Sequence, residues 1–564
     1  MAFFARMAAV GLGLAGAAAL AQPAQPRPDA GTLQERPRVI PTLPAPGGPR
    51  IEAPAPAPQA APAAVQLTPG GFRFKGNTLF GDDVLQRIVA PRAGQRTDLA
   101  GLQAAAREVR EFYQDNGFLL TDAFIPEQEL QREGGVVTIE VVEARVGRVT
   151  VETEGGSASS RIYAIVRRAL PQGSPASEYL LDLPVLLVRD LSGHDATAAI
   201  QPGARAGEVD VVVKVRAQPR RYETSVSLDN HGVRTAGQLR ASAGVDVSNL
   251  TASGDSLSAR VQVAEITGSR LYRVAYTRPV TDAGTRATAV LARSEYALGG
   301  AFEALGATGH ADIAAASLLH PLVRGRTHSA YAIAGFEHKK LVDRLAAGPD
   351  AHRRIQLLRL GIAGNAFDEA AGSAALTSYA ASLAFGRLSL DAASAAVDRG
   401  PAGLGTQGSF SKANLELQRT QFLAPRWSVA AALQAQWAFD NLTSAEKMTL
   451  GGPTGVRAYP TGEGVGDIGA LASVELRYQV VPAEPLPLAV GLFYDAGRIR
   501  VNRRPVAGAP NSRSLSGAGI SLQAGTTGRF QAGAALAWRV GSERPSGGEP
   551  DRSPRLWLTT QAWF

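Results

Sequence analysis

The chain contains no cysteine, only three methionines, and seven histidines scattered between 194 and 352 without a close HxxxH pair. Missing thiols exclude disulfide frameworks, thiolate zinc sites and cysteine nucleophiles. The dispersed imidazoles leave no seed for a metal centre, so neither metal nor cofactor is expected, and no cluster of His, Ser and acidic residues suggests an enzyme. Long apolar runs are also lacking: after the N-terminus nothing approaches the ~20 residues that a spanning helix needs. If such a chain enters a bilayer, it does so as a closed β-barrel. Strong charge of one sign is absent as well, with 58 Lys+Arg against 50 Asp+Glu in 564 residues. With 45% hydrophobic and 19% charged residues, the composition is neither that of a disordered chain nor that of a helical membrane protein.

What is present begins with Arg6, the apolar stretch Met7 to Leu20 and Ala19-Leu20-Ala21 before Gln22, which reads as a secretory signal peptide over 1–21. The mature protein is then expected in the periplasm, in the outer membrane or outside. Between Gln22 and Ala64 stand twelve of the chain's 35 prolines, a composition that favours extended polyproline II over a packed core. Residues 22–65 therefore form a linker. Within it, 29–36 is the one stretch long enough for two helical turns, with Pro28 at its start and Pro37 stopping it.

Residues 66–145 predict a β-α-α-β-β module. Phe72-Arg73-Phe74-Lys75-Gly76-Asn77 is a strand ending in a turn, and Gly81 to Ala90 is a short helix. A longer helix follows with Thr97 as N-cap and apolar residues at Leu99, Leu102, Ala106, Val109 and Tyr113. Strands Leu119–Pro126 and Val136–Val142 complete the module. Residues 146–217 repeat the plan, with a strand from Val146, helices Ser157–Leu170 and Glu178–Leu186, and strands His194–Ile200 and Val209–Val215.

From 218 to 564 the texture changes to segments of about ten residues with apolar side chains at every second position, each closed by Gly, Asn, Asp or Pro. Sixteen such segments are predicted, starting near Tyr222, Gln238, Asp255, Arg270, Thr285, Asp312, Thr327, Arg354, Ala375, Ser409, Trp427, Ala470, Leu488, Leu515, Phe530 and Arg555. A soluble sandwich also alternates. A transmembrane barrel is favoured because the non-apolar sides carry charge that a watery lumen accepts, as at Ser473, Glu475, Arg477 and Gln479. The chain also ends on an alternating strand with a terminal aromatic, Phe564, which is how outer-membrane barrels commonly present an address to the assembly machinery. The fold class expected is thus a 16-stranded antiparallel β-barrel preceded by two small modules. Its 36 Lys+Arg against 27 Asp+Glu suit contact with anionic outer-leaflet lipid such as lipopolysaccharide, or a cationic lumen, better than nucleic acid.

Five places resemble the outer-membrane translocators of two-partner secretion, the haemolysin-activation (ShlB/FhaC/HecB) type. The first module, through Tyr113 to Phe118, Ile125 to Gln128 and Val142-Glu143-Ala144, looks like that family's first POTRA domain. The second, through Leu180-Leu181-Asp182-Leu183-Pro184 and Gln201-Pro202-Gly203, looks like its second. Asp229-Asn230-His231-Gly232 is similar to the family's first hairpin. Most specific is Gly451 to Pro460, whose Val456-Arg457-Ala458-Tyr459 resembles the VRGY-type tip of the long sixth loop, with Ala458 in place of the usual glycine. Phe493, Asp495 and Gly497 resemble the lumenal FxDxG strand motif, whose aspartate, the resemblance implies, holds the loop-tip arginine. The same resemblance implies an N-terminal plug helix at 29–36 and a large secreted β-helical cargo, an adhesin or cytolysin. The alternatives are a barrel-inserting assembly factor of the same superfamily and a passive outer-membrane channel. Gly464 to Gly469 matches GxGxxG, but it precedes a strand instead of opening a helix, which argues against dinucleotide binding.

Overall fold

The computed structural model describes residues 28–34, 66–129, 134–154, 160–218, 220–265, 269–401, 403–481, 486–505, 510–546 and 551–564. The expected signal peptide and most of the proline-rich linker lie outside the described residues. Within the linker stands α1 (Ala30–Leu33), with Asp29 and Thr32 capping each other's backbone amides. Its helical span is half that expected.

The first module folds as β1 (Gly71–Lys75), α2 (Asp82–Val89), α3 (Leu99–Asp115), β2 (Asp122–Phe124) and β3 (Val136–Val142), with sheet order β1-β3-β2. Phe72 and Phe74 on the inner face of β1 pack with Leu85, Leu102, Val109 and Tyr113 of the helices. The N-cap of α3 is Asp98, whose carboxylate accepts from Gly101 N, and not Thr97. Thr97 is held one step earlier by paired backbone bonds to Leu67. β2 is only three residues long, shorter than the expected 119–126. The motif residues converge at one end of this sheet. Gly76 sits at φ +90, and an added Cβ would lie 2.3 Å from Val141 O. Beyond that turn, Glu143 accepts from Thr78 N at 2.7 Å, Leu79 N at 2.8 Å and Tyr113 Oη at 2.9 Å. Burial alone would raise the Glu143 carboxyl, but these donors hold it below its ordinary value.

The second module contains β4 (Arg145–Glu154), α4 (Ser160–Ala169), α5 (Glu178–Arg189), β5 (His194–Pro202) and β6 (Glu208–Ala217), ordered β4-β6-β5. Its core joins Ile162, Ile165 and Val166 to Val185, Val188, Val211 and Val213.

The barrel strands are β7 (Tyr222–Asp229), β8 (Arg240–Ser248), β9 (Ser256–Ala264), β10 (Arg270–Pro279), β11 (Arg286–Ala297), β12 (Thr308–Arg324), β13 (His328–Arg344) and β14 (Ala351–Asp368). They continue as β15 (Ala375–Leu390), β16 (Gly408–Ala424) and β17 (Trp427–Ala438). A two-stranded insert of β18 (Met448–Thr449) and β19 (Val465–Gly466) interrupts the wall, which resumes as β20 (Ile468–Val481), β21 (Leu488–Arg500), β22 (Ser512–Thr526), β23 (Phe530–Arg539) and β24 (Arg555–Trp563). Sixteen strands close, with β24 pairing antiparallel to β7. Phe564 finishes this seam through reciprocal backbone bonds with Thr224 of 2.8 and 3.1 Å.

Alternation separates the two faces of the wall. On β21 the outward Val490, Leu492 and Tyr494 are 40%, 62% and 49% exposed, while the inward Phe493 and Asp495 are buried. That is the pattern of a wall with lipid outside and a polar lumen inside. The second module sits under one rim. Arg324 at the end of β12 pairs with Asp190 at 2.9 Å, and Arg326 in the next turn pairs with Asp182 of α5. The rim bearing the modules is therefore the periplasmic one, and the 439–467 connection between β17 and β20 starts from the opposite, extracellular rim.

Candidate functional site

The 439–467 connection turns back into the barrel instead of standing off in solvent. Glycines make this possible. Gly452 and Gly464 take φ +122 and +65, and a Cβ at Gly455 would lie 2.0 Å from Leu450 O. Val456, Ala458 and Tyr459 at the tip are fully buried against Leu471, Phe493 and Leu515 of the wall. Tyr459 Oη donates to Glu543 O at 3.0 Å.

Arg457 is the centre of the tip. Its Nε and Nη2 donate to the two oxygens of Asp495 at 2.8 and 2.9 Å, a bidentate fork. Nη1 donates to Glu475 Oε2 at 2.7 Å, and the guanidinium carbon lies 3.3 Å from the centroid of the Phe493 ring. The backbone is held too, with Arg457 N on Asp495 Oδ2 at 3.1 Å and Trp557 Nε1 on Arg457 O at 2.7 Å. Arg477 donates to Glu475 Oε1 at 2.9 Å, so two guanidinium groups face two carboxylates and the buried cluster is neutral. Ser473 and Ser521 supply further donors to Asp495 and Glu475.

The remaining motif residues make room. Gly497 faces Leu450 of the loop, and a Cβ there would lie 2.7 Å from its Cδ2. A Cβ at Gly517 on β22 would lie 2.5 Å from Ala458 Cβ. The alanine at 458 is thus seated on a glycine of the wall. Phe564 lies far along the β7–β24 seam from this cluster and touches none of it. Sequence reasoning placed Glu475 and Arg477 on the lumenal face without assigning them to Arg457, and it missed Trp557. Its inward parity on the last strand, opposite to that of Leu556 and Leu558, was the available signal.

A second group fills the lumen beside the loop stem. Asp29 pairs with Arg353 of β14 at 2.9 Å, and Arg353 also binds Asp343 of β13. Ala30 N donates to Asp343 Oδ1 at 2.7 Å, and Ser444 Oγ donates to Asp29 Oδ2 at 2.7 Å. Gly31 lies so close to the loop stem that a Cβ would meet Ser444 Oγ at 2.4 Å. Two residues on, Glu446 is clamped by Lys339 at 2.8 Å and Lys412 at 2.9 Å. The helix α1 therefore rests inside the barrel against both the wall and the loop stem.

Comparisons with known proteins agree with this architecture. Residues 207–524 match the family model described as haemolysin secretion/activation protein ShlB/FhaC/HecB, and residues 67–144 match a ShlB-type POTRA domain. A heme/hemopexin transporter protein HuxB of Haemophilus influenzae is 28% identical over 450 residues, covering 78% of each chain. An outer membrane transporter CdiB of Escherichia coli is 30% identical over 152 residues, 27% of this chain and 25% of its own. Among solved structures, CdiB from Escherichia coli superposes with a TM-score of 0.70 at 19% identity, covering 91% of this chain and 93% of that one. CdiB from Acinetobacter baumannii gives 0.62 at 15% identity, covering 97% and 95%. The 16-stranded barrel with its two small N-terminal modules is the fold of these transporters, and the chain belongs to the haemolysin secretion/activation protein ShlB/FhaC/HecB family.

Proposed function

We propose that the two POTRA-type modules receive an unfolded exoprotein in the periplasm and that the barrel passes it to the cell surface, with the Arg457 cluster and α1 as the two internal parts that set the pore's state. The observation that carries this reading is the bidentate Arg457–Asp495 pair inside a closed barrel. A loop drawn in from the extracellular rim and held by a buried ion cluster gives the pore a part that can be released when cargo arrives. Capture at the modules fits β-augmentation, in which an extended chain adds to a sheet edge through main-chain bonds. β5, nine residues long at the edge of its sheet, offers such a template. Cargo folding outside the cell supplies direction, since no nucleotide-binding motif is present to do so.

The cargo proposed from family membership is one large secreted protein, of the β-helical adhesin or cytolysin class. The Haemophilus relative is named for heme/hemopexin, which favours a cargo directed at hemopexin as a second reading. Phe564, bonded into the closing seam, is the assigned address for the outer-membrane assembly machinery, and outer-leaflet lipid is the assigned surround. The test is to delete the gene and analyse the periplasm by mass spectrometry. One large protein should accumulate there and vanish from the surface, and complementation by Arg457→Ala should fail to restore it. An unchanged surface proteome would overturn the proposal.

A further inference from the structure

The outer wall carries a group of three cations near the extracellular rim that, among the described residues, are not drawn into the barrel's ion pairs. On β13, β14 and β15 the outward positions near the extracellular rim are Lys340, Arg354 and Arg387, all exposed. Lys340 and Arg354 stand directly opposite each other across the β13–β14 ladder. Arg387 is two residues from Ser389, the partner of Arg354 on β15, and so lies on the diagonal from it. Like charges in facing positions of a sheet destabilise it, and a diagonal neighbour is still within reach of a long side chain. Among the described residues none of the three forms an ion pair. Two carboxylates stand nearby: Asp312, across from Lys340, is held by Arg293 at 3.1 Å, and Asp440, which lines an adjoining depression, lies 3.6 Å from Arg504.

Towards the membrane centre, past His338 on β13 and Gln356 on β14, the same outward rows turn apolar, with Phe336, Leu358 and Phe385 exposed by 47%, 45% and 49%. Beside this apolar row lies a depression of about 550 Å³, lined by Phe336, Leu358, Phe385, Gln356, Arg387 and Asp440; Arg354 is the next outward residue rimward of Gln356, and Lys340 faces Arg354 across the ladder. The small serines at 409 and 411 leave the space open. A cleft with apolar side chains on its membrane side, Arg387 in its wall, and Arg354 and Lys340 nearer the rim fits an amphiphile whose phosphates lie at the interface and whose acyl chains run down the wall.

We infer that this patch is a binding site for a phosphate-bearing glycolipid of the outer leaflet, of the lipid A class. The inference rests on the barrel lying in the outer membrane, as proposed above. The test uses the full-length protein in detergent, titrated with bisphosphorylated lipid A and followed by native mass spectrometry. Parallel arms use phosphatidylcholine and inorganic phosphate. The wild type should retain lipid A through purification and bind it at least tenfold more tightly than Lys340→Gln/Arg354→Gln/Arg387→Gln, with phosphatidylcholine showing no such difference. Arg387→Gln alone, at an exposed position, should lose part of the affinity and keep the fold if the triple variant does not. Equal lipid A binding by wild type and variants would overturn the inference, as would inorganic phosphate competing as strongly as lipid A on a molar basis. Heat-modifiable migration reports barrel closure separately, and secretion by the Arg457 variants tests the transport reading independently of either result.

Discussion

Replacing Arg457 by alanine removes four side-chain hydrogen bonds to Asp495, Glu475 and Ser473 and the stacking on Phe493. Asp495 is fully buried and Glu475 nearly so, so each is left as a carboxylate without its main partner. Breaking a buried pair by removing one member costs about 3–5 kcal/mol. At about 1.4 kcal/mol per tenfold, the ratio of docked to undocked loop should fall by between about 10² and 10⁴. The sixteen-strand ladder does not depend on these bonds, so the barrel itself should assemble. Lysine keeps the charge but cannot fork across both Asp495 oxygens, so Arg457→Lys should fall between wild type and alanine. The assay pairs heat-modifiable migration, which reports barrel closure, with protease sensitivity of 451–464 from outside the cell and with secretion of the partner protein. Arg457→Ala and Asp495→Ala should each expose the loop and abolish secretion without loss of barrel. Wild-type secretion from either variant, with the loop still protected, would refute the reasoning.

Much of this arrangement is legible in period-two alternation, and the reasons for its limits are physical. The sixteen expected strand starts lie within four residues of the observed ones, the largest offset being Asp312 against Thr308. Lipid contact forces an apolar residue at every second position, and that constraint is local. Strand ends are harder to place, because once the wall leaves the hydrocarbon the ladder continues with polar residues outward. β14 therefore runs for 18 residues, through Arg354 and His352, where about ten were expected. The N-cap of α3 was misplaced by one because Thr97 and Asp98 are both capping residues, and only the backbone pairing of Thr97 with Leu67 settles which is used. The lumenal cluster is the least local feature. Glu475 and Asp495 meet through the β20–β21 hairpin, but Arg457 and Trp557 join them only because the loop folds inward and the wall curves round to β24, an arrangement that no window of sequence contains.

Asp29→Ala should free α1 from Arg353 and Ser444, giving larger or more frequent conductance in planar bilayers with unchanged barrel migration; wild-type currents would show that α1 does not restrict the pore. At the contact between second module and barrel, burial pushes the Asp182 carboxyl up to about 6 against the pull of Arg326, and Glu178 adds to the rise. A carboxyl raised on docking takes up a proton, so the contact should tighten as pH falls from 7.5 towards 5 and loosen as pH rises through 6. Spin-label distances between module and barrel should narrow at pH 5 in wild type and be flat with pH in Asp182→Asn, whereas an equal pH response in both would sink the assignment. The last prediction concerns Ala458. A Cβ at Gly517 would sit 2.5 Å from that of Ala458, inside the ~3.5–4.0 Å at which carbons rest, so Gly517→Ala should push the loop tip from its seat at about 1–3 kcal/mol. Removing the opposing methyl returns the space. The double variant Ala458→Gly/Gly517→Ala should therefore recover most of the secretion that Gly517→Ala loses, and a double variant no better than the single would mean that loop and wall do not share this volume.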